Sequence, residues 1–267
     1  MNTLEAVILG LVQGLTEFLP VSSSGHLVLA QKLLGVTEPA LLFDTMLHLG
    51  TLVAVFIVLR KDIWALLRRP FQRLTALLVV ATIPTVVIAL LFKDTIEAAF
   101  HSGSTLGWEF LATATILLAA ERLAAGAEKG RGEGEMSWLD AIIIGVLQGI
   151  AIMPAVSRSG LTIAGALARK LDRSFAARFS FLLSIPAILG AVVFQGKDLL
   201  EAGSAAGGES FSLPLVAGTL VAAAVGVFAV KFMMKIIREG SMKGFAIYVG
   251  AVGLLVLADQ YVFHLFF

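Results

Sequence analysis

The chain contains no cysteine. Disulfides, thiolate metal sites and thiol catalysis are therefore excluded. Charge is scarce as well: Asp, Glu, Lys and Arg make up 15% of the residues, against 58% that are hydrophobic. A typical soluble domain carries about 25% charged and about 45–50% apolar residues. The little charge present nearly cancels, with 20 Lys+Arg and 19 Asp+Glu, so nothing directs the chain toward nucleic acid. The N-terminal stretch MNTLEAVILGLVQG has no basic n-region and no small-residue cleavage site. It is expected to stay in place and not be removed as a signal peptide.

What the chain has in abundance is long apolar runs. They lie at 40–59, 74–92, 105–124, 175–195, 213–230 and 244–267. A spanning helix needs about 20 predominantly apolar residues, so six spans are predicted and the fold class is all-α integral membrane. Two apolar pieces, 6–19 and 141–153, are too short to cross. Each is followed by proline, then a Ser/Gly-rich break, then a second short helix at 26–34 or 162–171. Irregular backbone at membrane depth is tolerated only where protein or a water-filled cavity satisfies it. The two breaks are thus predicted to be re-entrant and to line a cavity.

Basic residues assign the sides. Arg60, Lys61, Arg68, Arg69 and Arg73 follow the first span, and Lys129 and Arg131 the third. Arg169, Lys170, Arg173 and Arg178 precede the fourth, and Lys231, Lys235, Arg238 and Lys243 separate the last two. The alternate loops, near Glu97 and at 197–209, are poor in basic residues. If the six spans alternate, all four clusters share one side, the cytoplasmic one. Both termini then face outward.

The chain also repeats itself. GLVQGLTEFLPVSSSGHL at 10–27 resembles GVLQGIAIMPAVSRSGLT at 145–162, and FDTMLHLGTLVAV at 43–55 resembles FSFLLSIPAILGA at 179–191. An odd number of spans per half forces opposite orientations, the inverted-repeat arrangement of transporter-like folds. One membrane domain, 1–267, is expected, with halves 1–125 and 136–267 joined by a cytoplasmic Gly/Glu-rich linker at 126–135.

The chemistry lies on the two breaks. An arginine at membrane depth marks a functional site by default, and Arg158 sits in the second break between Ser157 and Ser159, followed by Gly160 and Thr162. The first break carries Ser22, Ser23, Ser24 and Gly25 ahead of a helix. Free N–H groups at a helix start receive anions, and the arginine fork matches phosphate oxygens. Two such starts describe a phosphate pocket. Glu17 beside it makes sense with a bridging Mg²⁺ or Ca²⁺, which prefer carboxylate, water and phosphate oxygens. His26 can serve as base or nucleophile, and a neighbouring serine can be activated for attack.

Blander readings stand beside these. Ser and Gly often serve helix packing in membranes, which fits Ser22 and Ser24. Glu17 is also compatible with a packed protonated carboxyl or an ion-transport residue, His26 with a structural hydrogen bonder, and Arg158 with a snorkelling stem. Gln13 and Gln148 can each satisfy broken backbone. His48, Asp44 and Glu109 read as solvated or capping groups near span ends, and Glu121 with Arg122 as an interfacial pair.

QGLTEFLPVSSSGH together with PAVSRSGLT resembles the bacterial undecaprenyl-diphosphatase family, also called the bacitracin-resistance family. The likeness runs over essentially the whole chain, to the closing FAIY span. It implies hydrolysis of undecaprenyl diphosphate to the monophosphate lipid carrier of cell-wall synthesis, at a site open to the outer face of the bacterial inner membrane and dependent on a divalent cation, Mg or Ca. It implies catalytic roles for Glu17, Ser23, His26 and Arg158, with Glu17 as metal ligand. Gln13, Ser22, Ser24, Gly25, Ser157, Ser159, Gly160 and Thr162 form the expected substrate-binding set. The family's first motif opens on Glu or Gln, here Gln13, leaving one carboxylate for metal. Its second usually reads Pro-Gly, where this chain has Pro154-Ala155.

The expected partners are a polyprenyl diphosphate and the bilayer; a homodimer is compatible with the sequence. Ser23 with His26 as its base, direct attack by His26, and an activated water all remain open. The rival class is a transporter or flippase of a lipid phosphate or small anion, which would also use inverted repeats with broken helices.

Overall fold

The computed structural model describes the backbone of residues 1–36, 41–124, 130–201 and 212–267. Residue 40 of the first expected span, Lys129 with the rest of linker segment 126–129, and 202–209 of the basic-poor loop lie outside the described residues. Twelve α-helices follow one another among the described residues: α1 Thr3–Thr16, α2 Ser23–Leu33, α3 Leu41–Val58, α4 Arg60–Arg68, α5 Arg73–Leu91, α6 Lys93–Ser102, α7 Leu106–Ala124, α8 Trp138–Ile150, α9 Arg158–Ala168, α10 Arg173–Glu201, α11 Leu213–Glu239 and α12 Lys243–Ala258.

Among the described residues four helices, α5, α10, α11 and α12, are long and apolar enough to cross a membrane by themselves. The count reaches six when α3 is taken with α4 and α7 with α6, pairs bent by 80° and 110°. These are the six expected runs, and the chain is an all-α integral membrane protein. The expected spans end at 59 and 92 and restart at 74 and 105, so α4 and α6 fall in stretches that the sequence assigned to loops.

The short helices α1 and α8 have 14 and 13 residues. At about 1.5 Å rise per residue they reach roughly 20 Å, short of the ~30 Å hydrocarbon core. Each begins with a capping box, Asn2 with Glu5 and Ser137 with Asp140, which satisfies N–H groups that a helix start leaves orphaned. Each ends just ahead of its proline, Pro20 or Pro154. The chain then restarts on a serine cap: Ser22 accepts from the Gly25 N–H and Ser157 from the Gly160 N–H.

The halves pack in exchange. Helix α1 lies on α11 of the second half, and α8 lies on α5 of the first. Glycines matched in the repeat make both crossings. A Cβ on Gly10 would stand 2.4 Å from the Gly218 carbonyl oxygen, and one on Gly145 would stand 2.1 Å from that of Ala81. Only glycine lets these backbones meet so closely.

Contacts at the two ends show where each hairpin opens. At one end Arg169 Nε donates to Asp140 at 2.6 Å, closing α9 onto the start of α8. In the same layer Arg131 also pairs with Asp140, and Arg178 with Asp62 and Glu133. Glu121 was expected to pair with Arg122. Consecutive helix residues do not face each other, and Glu121 is buried, pairing with Arg173 at 2.9 Å and accepting the Met242 N–H at 2.8 Å. The α1–α2 hairpin opens at the opposite end, where Lys32 donates to the Phe266 carbonyl at 3.0 Å and stands over the Phe267 ring.

Candidate active site

The two breaks meet and bind each other. Ser22 Oγ donates to the Pro154 carbonyl at 2.9 Å, and Ser159 Oγ donates to the Leu19 carbonyl at 2.9 Å. Leu19 and Pro154 are matched positions of the repeat, so each loop supplies a hydroxyl to the same carbonyl of the other. Buried carbonyls left without donors would cost free energy at this depth. The second loop is further stitched by Thr113, whose hydroxyl donates to the Ala155 carbonyl and accepts the Ser157 N–H, both at 3.2 Å. Glu109, expected to be solvated or capping, is buried and accepts the Ala155 N–H at 2.6 Å. A carboxylate is needed there because the irregular loop has no helical acceptor for that N–H.

Against this scaffold four of the expected site residues come together. Glu17, at the end of α1, is buried. Its Oε1 receives Arg158 Nη2. Its Oε2 receives Ser23 Oγ at 2.6 Å and Gln13 Nε2 at 2.9 Å. Ser23 and Arg158 occupy the same position of the repeat, the first residue of α2 and of α9 respectively. One carboxylate thus joins the starts of both short helices. Arg158 keeps Nη1 buried and without a hydrogen-bond partner among the described residues. Gln13 Oε1 is likewise a buried acceptor without a donor among them. The cluster therefore holds one unused donor and one unused acceptor.

The remaining expected residues stand around the cluster. Ser22, Gly25, Ser157, Ser159 and Gly160 form the caps and crossings just described. Ser24 lies half-buried in the first turn of α2. Thr162 is buried one turn into α9, where its hydroxyl donates to the Arg158 carbonyl at 2.8 Å and meets Ser180 Oγ at 2.6 Å; it packs against α10. Gln148, the repeat partner of Gln13, donates to Thr85 Oγ1 at 3.1 Å.

His26 does not hydrogen-bond to Ser23 in this conformation. Its Nδ1 donates to the Ser22 carbonyl at 2.7 Å, and its Nε2 accepts from the Tyr248 hydroxyl at 2.8 Å. The ring stacks on Tyr248 and meets Phe110 edge-on. Ser22 has φ +69°, an uncommon conformation for a residue with a side chain. Such strain persists where surrounding contacts over-determine it; here they are the His26 ring on the Ser22 carbonyl and Pro154 on its hydroxyl.

Two residues at the site were missed in the sequence. His48 was expected to be solvated or capping, yet it stands 3.6 Å from Glu17 Oε2. Tyr248 was noticed only as part of FAIY. Each belongs to a helix far along the chain, and no local pattern says which helix face will meet α1 or α2.

A metal was expected on Glu17. Among the described residues no group of three or more His, Asp or Glu could hold an ion by itself. Mg²⁺ commonly uses one or two carboxylates and completes its shell with water and substrate phosphates. Glu17 together with the undonated Gln13 Oε1 offers hard oxygens of that kind, so the donor set fits an ion shared with a phosphate.

Comparison with known proteins agrees in extent and in name. A family profile described as bacitracin resistance protein BacA matches residues 6–255. An undecaprenyl-diphosphatase of Carboxydothermus hydrogenoformans is 52% identical over 260 residues, covering 97% of this chain and 98% of its own. Undecaprenyl-diphosphatase 4 of Bacillus thuringiensis subsp. konkukian is 51% identical, covering 98% of each chain. An undecaprenyl-diphosphatase of Halothermothrix orenii is 40% identical, covering 96% of this chain and 98% of its own.

Proposed function

The chain belongs to the bacitracin resistance protein BacA family, and on that premise we propose that it hydrolyses undecaprenyl diphosphate to undecaprenyl phosphate and inorganic phosphate. It is a multi-pass membrane phosphatase whose activity returns the lipid carrier to cell-wall synthesis and underlies bacitracin resistance. The observation that carries the reading is Glu17 holding both Ser23 and Arg158. It presents a nucleophile and a phosphate-binding fork from two facing helix starts.

In the reaction Ser23 Oγ attacks the terminal phosphorus and its proton passes to Glu17 Oε2, the acceptor already in contact. The bond from that phosphorus to the bridging oxygen breaks, and the lipid monophosphate leaves. Water then attacks the phosphoserine phosphorus, the P–Oγ bond breaks, Ser23 Oγ takes back a proton from Glu17, and inorganic phosphate leaves. Arg158 Nη1 and the N–H groups at the starts of α2 and α9 receive charge that develops on the transferring phosphoryl oxygens. His26 keeps the Ser22 turn in shape beside the nucleophile. A divalent cation, if bound, would be held by Glu17 and Gln13 Oε1 and would supply neutralisation of the diphosphate's charge.

The experiment is product analysis with purified protein in detergent. A long-chain polyprenyl diphosphate is expected to yield inorganic phosphate and the lipid monophosphate. Release of pyrophosphate with free polyprenol would overturn the choice of scissile bond. Chelation with EDTA is expected to abolish turnover and added Mg²⁺ or Ca²⁺ to restore it. Unchanged turnover in EDTA would remove the cation.

The location is the bacterial inner membrane, with the basic layer cytoplasmic and the α1–α2 hairpin opening outward; the basic clusters support this orientation. The chain has no native cysteine, so single cysteines report without background. A cysteine replacing the exposed Ser104 should react with an impermeant maleimide in intact spheroplasts, and one replacing Gln72 only after lysis. The reverse pattern contradicts the orientation.

A further inference from the structure

Gln13 has an amide whose orientation is determined by its neighbours. Its Nε2 lies 2.9 Å from Glu17 Oε2 and 3.0 Å from His48 Nδ1. A carboxylate paired with arginine only accepts, so the NH₂ group must be the end that faces Glu17. The second N–H of the same group then points at His48. Nδ1 of His48 is then the acceptor of that N–H, the tautomer with the ring hydrogen on Nε2. This leaves Gln13 Oε1 as the undonated buried acceptor. The opposite orientation would set an amide oxygen against a carboxylate oxygen and leave an NH₂ orphaned.

His48 is itself held in place. It sits on α3 one turn after Asp44, which accepts from Gln31 of α2 at 3.1 Å. Its own carbonyl accepts the Thr51 hydroxyl at 2.9 Å. A chain of contacts therefore runs from α3 through Gln13 and Glu17 to Ser23.

We propose that His48 is a positioning residue of the hydrolytic site: its Nδ1 fixes the Gln13 amide, and through that amide the carboxylate oxygen that holds the Ser23 hydroxyl. The proposal rests on the hydrolysis assigned above. Without His48 the amide can rotate, Glu17 Oε2 loses one of its two donors, and the nucleophile is held less tightly. His48 itself lies outside the expected substrate-binding residues, so with divalent cation at saturation the loss falls mainly on kcat.

The test has a chemical arm and a spectroscopic arm. In the first, His48→Ala is expected to lower kcat about tenfold to a hundredfold, the usual scale for losing a group that orients a catalytic one. KM should stay within about twofold. Asn can place its Oδ1 where Nδ1 stood, so His48→Asn should recover most of the rate. Gln reaches instead toward the Nε2 position, and His48→Gln should not. Undiminished kcat in His48→Ala, or a His48→Asn no better than alanine, overturns the proposal. In the second arm, ¹⁵N-histidine NMR of the wild-type protein in detergent should show one ring with unprotonated Nδ1 and protonated Nε2, absent from His48→Asn. His26 should show the opposite tautomer. A His48 ring protonated at Nδ1 near neutral pH overturns the proposal even if the alanine variant folds poorly. Should the wild type release no phosphate at all, the assigned function fails, and the tautomer still decides the geometry around Gln13.

Discussion

Arg158→Lys should lower kcat by about a hundredfold to a thousandfold, the scale of removing one preorganised donor to transition-state charge. The fork does two jobs at once: Nη2 holds Glu17, while the buried Nη1 has no partner among the described residues. Lysine offers one ammonium in place of two separated donors. It can keep the ion pair with Glu17 or reach the phosphoryl group, but it cannot hold the two-point geometry. Because charge and most of the stem are retained, insertion and folding should survive. An alanine variant would be less informative, since it leaves a buried carboxylate uncompensated. The split between kcat and KM is the diagnostic part. Interactions made only in the transition state appear in kcat, so a variant that raises KM alone would make Arg158 a binding group for the ground-state diphosphate. A rate within about threefold of wild type would return it to a structural tie between the loops.

Ser23→Ala should be the most damaging substitution of all, at least about a thousandfold in kcat, because losing a nucleophile removes the reaction route and leaves only positioning and charge stabilisation. The hydroxyl is 2.6 Å from Glu17 Oε2, so deprotonation and attack begin from a contact already made. The Glu17–Arg158 pair and the Gln13 donor remain when the hydroxyl is deleted, so the variant should fold normally. Rapid acid quench of the wild type should trap an acid-stable phosphoserine in the peptide containing Ser23. An acid-labile phosphohistidine at His26 would transfer the nucleophile to the imidazole, with Tyr248 having to release Nε2 first. Substantial turnover by Ser23→Ala would point to water activated beside Glu17.

The legible part of this molecule is the part where polarity contradicts its surroundings. Glu17 and Arg158 stood out because charges in apolar segments are expensive, and they turn out to touch. The serine caps were legible too, since Ser22 and Ser157 precede short helices at matched positions. The six runs were visible from length alone. What stayed hidden depends on which faces meet in three dimensions. His48 sits in an ordinary apolar run, and its contact with Gln13 exists only because α3 lies beside α1. Glu109 looked like a solvated or capping group and Glu121 like half of an interfacial pair, until the irregular second loop and the start of α10 required buried partners. Tyr248 meets His26 across 222 residues of sequence, a separation no motif bridges. The helices α4 and α6 were read as loops because their short, charged stretches carry no apolar run of spanning length.

The central claim is that the crossing loops break a phosphoanhydride rather than carry one across the bilayer. Inverted repeats with broken helices would serve a carrier equally well, so fold alone does not separate the two. The direct measurement is release of phosphate from a terminally ³²P-labelled polyprenyl diphosphate by purified protein in detergent, where there are no two sides to transport between. The account predicts many turnovers per protein molecule with a divalent cation present, and none above background for Ser23→Ala prepared in parallel. No release by the wild type, from a preparation that moves the same lipid between the leaflets of vesicles, would contradict it.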